Sequence, residues 1–207
     1  MVTASIEARG ISEPCVLKAM REVPRHLFVP AEVADFAYAD SPLPIGEEQT
    51  ISQPYVVALM TQALRLSPED RVLEVGTGSG YGAAVLSRVG REVYSIERHP
   101  SLAGQATETL ARLGYANVHV LCGDGALGLP SFAPYDAISV TAAARSVPEA
   151  HLWQLAPGGR LVIPVGGKSD QELLRITRLA DGGFAREDLG GVRFVPLIVG
   201  AGGAQSQ

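Results

Sequence analysis

The sequence predicts an α/β protein built on a doubly wound, mostly parallel, Rossmann-like sheet with an N-terminal helical lead-in. Three observations predict it. Apolar runs rich in β-branched residues recur at Val72–Val75, Val93–Ile96, Val118–Leu121, Ala137–Val140 and Leu161–Val165. Helix-length segments at Tyr81–Val89, Pro100–Leu113 and Pro148–Leu155 separate them. A glycine-rich turn, Gly76 to Tyr81, joins the first run to the first helical segment. Strands buried on both faces need helices on both sides, and right-handed crossovers then wind the sheet in two directions.

Taken in order, residues 1–60 read as short helices broken by Pro14, Pro24, Pro30, Pro42, Pro44 and Pro54. Ser12 is the expected N-cap of a helix through Arg21, with Pro14 in its first turn. The stretch from Asp40 to Pro54 is rich in Pro and Gly and reads as an ordered loop. Tyr55–Leu66 reads as a helix stopped by Ser67-Pro68. Residues 70–166 form the ligand-binding core. Within 167–200, strands are expected at Leu173–Leu179 and Val192–Val199, joined by the turn Asp181-Gly182-Gly183. Gly200 to Gln207 reads as a loose tail. The whole chain, 1–207, is expected to be one domain.

Composition narrows the function classes. The chain has 207 residues, 46% hydrophobic and 19% charged, as in ordinary globular proteins. No apolar run approaches the roughly 18 residues of a membrane span. Charged residues interrupt the first 30 positions, so no secretory signal is expected and a cytoplasmic location follows. A net charge of −5 and scattered arginines argue against nucleic acid as a partner. The two cysteines, Cys15 and Cys122, and the four histidines show no disulfide framework or metal-ligand spacing. A monomer is expected.

The turn after the first strand reads Gly76-Thr77-Gly78-Ser79-Gly80-Tyr81. Its spacing is Gly-x-Gly-x-Gly, and Tyr81 stands where a dinucleotide fingerprint would place its third glycine. No Gly-Lys-Ser/Thr follows, which excludes a P-loop. Glu74 precedes the turn, and no Lys or Arg occurs from Val72 to Ser87. An acidic loop without cations suits a ligand that carries positive charge at its reacting centre, such as the sulfonium of S-adenosylmethionine. Glu97 ends the second strand, where a carboxylate can accept from both ribose hydroxyls. Asp124, between Gly123 and Gly125, ends the third, where it can accept from an adenine amino group.

These residues resemble one family, the protein-L-isoaspartate O-methyltransferases. The marks are Val23-Pro24-Arg25-His26-Leu27-Phe28-Val29-Pro30, Pro42-Leu43-Pro44-Ile45-Gly46, Gln49-Thr50-Ile51-Ser52-Gln53-Pro54 and Val72 to Tyr81. Ile96-Glu97-Arg98, Gly123-Asp124-Gly125, Val140 to Ala144 and Pro157 to Gly166 complete them. The resemblance implies a methyltransferase sheet and S-adenosyl-L-methionine as donor, leaving S-adenosyl-L-homocysteine. It implies repair of damaged proteins and peptides by methylation of the isoaspartyl α-carboxylate, leading through a succinimide back to aspartate. Ser52 matches the active-site serine. Thr50, Ile51, Gly76, Gly78, Gly80, Glu97, Asp124, Gly125 and Thr141 match cofactor contacts. Ala142, Val195, Pro196 and Leu197, with Ser52, match substrate contacts. Glu48, Gly82 and Ile198 depart from the usual pattern.

Other readings predict different residues. The nearest alternative is a methyltransferase with another acceptor, a small metabolite or RNA, and RNA would need a basic stripe. A dehydrogenase would need glycine at Tyr81. The hydroxyl of Ser52 is expected to position the acceptor, since no Gly-x-Ser-x-Gly elbow surrounds it. A purely structural role, as N-cap of the helix beginning near Tyr55, is the alternative.

Overall fold

A computed structural model describes residues 1–167 and 169–200. The expected tail from 201 onward lies outside the described residues. Among the described residues there are nine strands: β1 (Leu43–Gly46), β2 (Gln49–Ile51), β3 (Arg71–Val75), β4 (Glu92–Glu97), β5 (Val118–Cys122), β6 (Tyr135–Val140), β7 (Leu155–Gly166), β8 (Gln171–Arg178) and β9 (Phe184–Val192). The α-helices are α1 (Pro14–Glu22), α2 (Pro54–Ala63), α3 (Tyr81–Ser87), α4 (Pro100–Arg112) and α5 (Glu149–Trp153).

Seven strands form one sheet in the order β5-β4-β3-β6-β7-β8-β9. The first five positions are parallel, and β8 and β9 are added antiparallel. This is the doubly wound, mostly parallel sheet that the strand–helix alternation predicts. Side chains alternate between its faces. Val72, Val93, Ala137, Val162 and Leu173 pack with Met60 of α2, with Leu64 just beyond its end, and with Ala83 and Leu86 of α3. Leu73, Tyr94, Ile138, Leu161 and Leu174 pack on the opposite side, against which Leu152 of α5 rests. The winding reverses between β3 and β6, so a crevice opens at their carboxyl ends. Doubly wound sheets bind ligands at such a switch point.

The lead-in is sealed to this body. Val16, Leu17 and Met20 of α1 share a core with Tyr81 and Val85 of α3 and with Leu102 and Leu110 of α4. Arg25, fully buried, lays its guanidinium 4.9 Å from the centre of the Tyr81 ring and donates through Nε to Ala37 O. Burial lowers its pKa to about 10, which leaves it charged at neutral pH.

Three local expectations change. Ser12 is not the cap of α1, which begins at Pro14 with Glu13 before it. The backbone N–H groups of Ser12 and Glu13 instead donate to Gln62 Oε1 of α2, a cap supplied from another helix. Residues 43–51 form a β-hairpin within the expected loop. Its two tip residues, Glu47 and Glu48, have φ of 51° and 56°, a conformation usually signalled by Asn-Gly. Finally, the strand expected at Val192–Val199 ends at its first residue. The true edge strand is β9, hidden from a hydrophobicity reading because Ala185 to Asp188 are exposed. Beyond it the chain leaves the sheet, and Pro196 makes one isolated parallel bridge with Ala143.

Candidate active site

The site is built from the loops at the carboxyl ends of β3, β4 and β6, roofed by the β1–β2 hairpin and by residues 195–198. Gly76 turns the chain out of β3 with φ of 97°, where a side chain would be strained and its Cβ would overlap Thr141 Oγ1. That hydroxyl, carried on the end of β6, donates to Gly76 O at 2.7 Å. The two strands flanking the switch point are thereby joined across the crevice.

Glu97 closes β4 and is 5% exposed. Its Oε2 accepts from Gly78 N and its Oε1 from His99 N, both at 2.9 Å. Each carboxylate oxygen keeps a second lone pair. The side chain is therefore held in place by the backbone and can still accept from a ligand diol. Beneath the glycine loop runs a buried chain of hydroxyls: Thr77 Oγ1 lies 2.6 Å from Ser95 Oγ, which donates to Glu74 Oε2 at 2.6 Å. Burial raises the Glu74 pKa to about 8, with the nearby charge of Glu97 adding to the rise. Without a cation beside it, Glu74 is thus mostly protonated at neutral pH.

A cavity of about 310 Å³ occupies this crevice. Thr50, Ile51, Ser52, Gly76, Gly78, Glu97, Gly125, Thr141, Ala142, Val195, Pro196 and Leu197, all expected from sequence, line it. Gly80 and Asp124 do not line it. Gly80, at φ 88°, faces Leu110 and Ala106 of α4, where a Cβ would press on both. Asp124 uses Oδ1 to accept from Ala126 N and Oδ2 to accept from Gly200 N. It therefore caps a single turn and ties down the segment that follows residue 198. Gly125 lies closer to the crevice, and a Cβ there would meet Val75 Cγ1 at 2.5 Å.

Ser52 sits at the mouth. Helix α2 starts at Pro54 with Gln53 as its N-cap residue, so Ser52 does not cap it. Among the described residues the Ser52 hydroxyl has no hydrogen-bond partner, and Ser52 lines both the cavity and a groove of about 1440 Å³ outside it. The turn carrying it is held by Asp40, a residue the sequence did not single out. Asp40 Oδ1 accepts from Tyr55 N at 3.0 Å, and Oδ2 from Gln53 Nε2 at 2.7 Å and Arg9 Nη1 at 3.0 Å. Gln171, also unanticipated, does the same for the opposite wall. Its Oε1 accepts from Phe194 N at 2.6 Å, and its Nε2 donates to Phe194 O and Gly167 O. On the other edge of that segment, Ala143 N donates to Val195 O and Leu197 N donates to Ala143 O, each at 2.8 Å.

The donor set fits an adenosyl sulfonium. The site offers a fixed carboxylate, backbone made accessible at Gly76 and Gly78, and acidic groups at Glu48 and Glu74, in a cavity of small-ligand size. No cluster of His, Cys, Asp or Glu suited to a metal occurs among the described residues.

Comparison with known proteins gives consistent results. The family model described as Protein-L-isoaspartate(D-aspartate) O-methyltransferase matches residues 1–202. A Pelobacter propionicus protein named Protein-L-isoaspartate O-methyltransferase 2 is 57% identical over 199 residues, covering 96% of this chain and 88% of the relative. A solved structure named protein-L-isoaspartate O-methyltransferase is similar with a TM-score of 0.84 at 35% identity over 95% of this chain. This chain spans 64% of that longer chain. A Plasmodium falciparum protein described as a protein-L-isoaspartate O-methyltransferase, in complex with S-adenosyl-L-homocysteine, has a TM-score of 0.80 at 27% identity. That match covers 93% of this chain and 94% of the other.

Proposed function

The chain belongs to the protein-L-isoaspartate(D-aspartate) O-methyltransferase family, and from that premise we propose how its residues divide the work. The enzyme is an S-adenosyl-L-methionine-dependent methyltransferase that acts on isoaspartyl residues of damaged proteins. When bound, the donor supplies an electrophilic methyl group on a sulfonium, and S-adenosyl-L-homocysteine is left.

Glu97 accepts from the ribose hydroxyls, and Gly76, Gly78 and Gly125 let the ligand lie against the main chain. Gly80 and Asp124 support this cradle from outside it. Thr50, Ile51 and Thr141 form the wall between donor and acceptor. Ser52, through its hydroxyl, donates to the acceptor carboxylate and orients it. Ala142, Val195, Pro196 and Leu197 flank the peptide that carries that carboxylate. An α-carboxyl group has an ordinary pKa near 3.5, so it is ionised at pH 7 and needs no general base. The protein's contribution is placement, which is worth up to about 7–11 kcal/mol. Closing residues 195–198 and the hairpin over the crevice keeps bulk water from the carboxylate. The resulting ester closes to a succinimide by the substrate's own chemistry, and partial reopening restores aspartate.

One observation carries the assignment of Ser52: its unpartnered hydroxyl stands where the cavity opens into the groove. Labelled methyl transfer to an isoaspartyl peptide and to its normal aspartyl twin tests the activity, with transfer expected to the first alone. Ser52→Ala should lower kcat/KM at least tenfold while leaving S-adenosyl-L-homocysteine affinity within twofold. A kcat/KM within twofold of wild type would refute the positioning role.

No helix among the described residues is long and apolar enough to cross a membrane. A cytoplasmic monomer that binds no nucleic acid fits the net charge of −5 and the free thiols of Cys15 and Cys122. Sedimentation and a nucleic-acid retention assay test the last two points.

A further inference from the structure

The two cavities that meet at Ser52 are lined by charges of opposite sign. The charged groups around the inner cavity are Glu48 and Glu97 against Arg98, while buried Glu74 holds its proton. Among the described residues, those around the outer groove are Arg9, Arg145 and Arg193 against Asp170. In a chain of net charge −5 this concentration of arginine on one groove is a local reversal of sign. Arg9 is committed to the fold, since it pairs with Asp40 and stacks 3.4 Å over the Tyr55 ring. Arg145 and Arg193 are not. Both are exposed, and among the described residues neither guanidinium has a salt bridge or a side-chain hydrogen bond.

Their positions bracket the acceptor side. Arg145 follows Ala143 and Ala144, which bridge to Pro196 and Val165. Arg193 immediately precedes the segment that Gln171 clamps at Phe194. Both lie outside the inner cavity, so neither lines the donor's site. Gly166, Gly167 and Gly191 contribute parts of that rim without side chains, leaving width for an extended polypeptide.

Resting on the isoaspartyl reading of the site, we propose that this groove selects damaged sites in acidic sequence contexts. Arg145 and Arg193 meet carboxylates of the residues flanking the isoaspartate. Such groups are solvated, so each pair contributes modestly and salt screens it within about 8–10 Å. The preference therefore resides in substrate binding rather than in the transfer step.

The test uses three isoaspartyl peptides that differ only in flanking residues, which are glutamate, glutamine or lysine. Steady-state methylation is measured at low salt and at 0.5 M salt, roughly a Debye length of 4 Å. The glutamate peptide should show a KM about threefold to tenfold below that of the lysine peptide, with kcat within twofold. The gap should close at high salt and invert in an Arg145→Glu, Arg193→Glu double variant. Equal KM for all three peptides in the wild-type protein would overturn the charge preference, whether or not the variant folds. A preference that persists unchanged in a folded double variant would overturn the assignment to these arginines. If none of the three accepts a methyl group, the isoaspartyl reading itself falls.

Discussion

Replacing Glu74 by glutamine should remove a pH dependence from the stability of the free protein. Glu74 is 1% exposed, lies on β3 under the glycine loop, and accepts a 2.6 Å hydrogen bond from Ser95 Oγ. Burial holds its pKa at about 8, against an ordinary value of 4.5 in the unfolded chain. Between those values the folded state binds more protons than the unfolded state. Its stabilising contribution is therefore complete below about pH 4.5 and is lost as pH rises through 8. The limiting slope is about 1.4 kcal/mol per pH unit, and the folded group is half-titrated at pH 8, so the loss from pH 6 to 8 is about 2 kcal/mol. For a chain of this size that is a fall of about 4–8 °C in Tm. Glutamine keeps an acceptor for Ser95 and does not titrate. His151, whose buried ring is held below its ordinary 6.5, acts in the opposite direction as pH falls, and it is common to both proteins. Thermal or urea unfolding of both proteins, in steps from pH 6 to 8.5, reads the difference directly. Identical pH profiles for wild type and Glu74→Gln would refute the reasoning, because no other group changes between them.

Three further substitutions probe the supports of the site. Asp40→Ala removes the acceptor for Tyr55 N, Gln53 Nε2 and Arg9, and should cost about 1–3 kcal/mol of stability. With the turn that carries Ser52 loosened, kcat should fall about tenfold or more, and Asp40→Asn should restore part of it; a full kcat in a folded Asp40→Ala protein would remove Asp40 from the mechanism. Gln171→Ala frees both backbone groups of Phe194, so KM for an isoaspartyl peptide should rise several-fold, with kcat changed less; calorimetry with S-adenosyl-L-homocysteine separates this from a cofactor defect. Glu48→Gly relieves a left-handed backbone at φ 56° and should raise Tm by about 2–4 °C, roughly 1 kcal/mol, as measured by calorimetry.

Much of the core was legible because its information is local. A strand of β-branched residues, a turn whose glycines take φ values closed to other residues, and a helix start at Tyr81 occupy adjacent positions. Their periodicity and composition name them without reference to the rest of the chain. Glu97 was readable for the same reason, as the last residue of a strand whose end must face the crevice. The hairpin was missed because Glu47 and Glu48 carry none of the usual turn chemistry. Contacts from elsewhere hold it: Ser101 donates to Glu47 Oε1 at 2.5 Å, and Ile45 reaches over Gly78. The last strand was misplaced because β9 is a polar edge and the apolar residues after it belong to the roof of the site.

By itself, then, the sequence determined the alternation of strands and helices, the glycine turn that borders the cavity, and the segment that places Ser52 at its mouth. Only the tertiary structure decided that Asp40 and Gln171 hold the two walls, that Gly80 and Asp124 lie off the cavity lining, and that burial raises the Glu74 pKa. Each of these depends on which groups meet after chain closure, across separations of 13 residues for Asp40 and Gln53 and 23 for Gln171 and Phe194. Hydrogen-bond satisfaction and dielectric environment are properties of the packed neighbourhood. A residue's identity states what it can donate, accept or ionise, and its neighbours decide which of these it does.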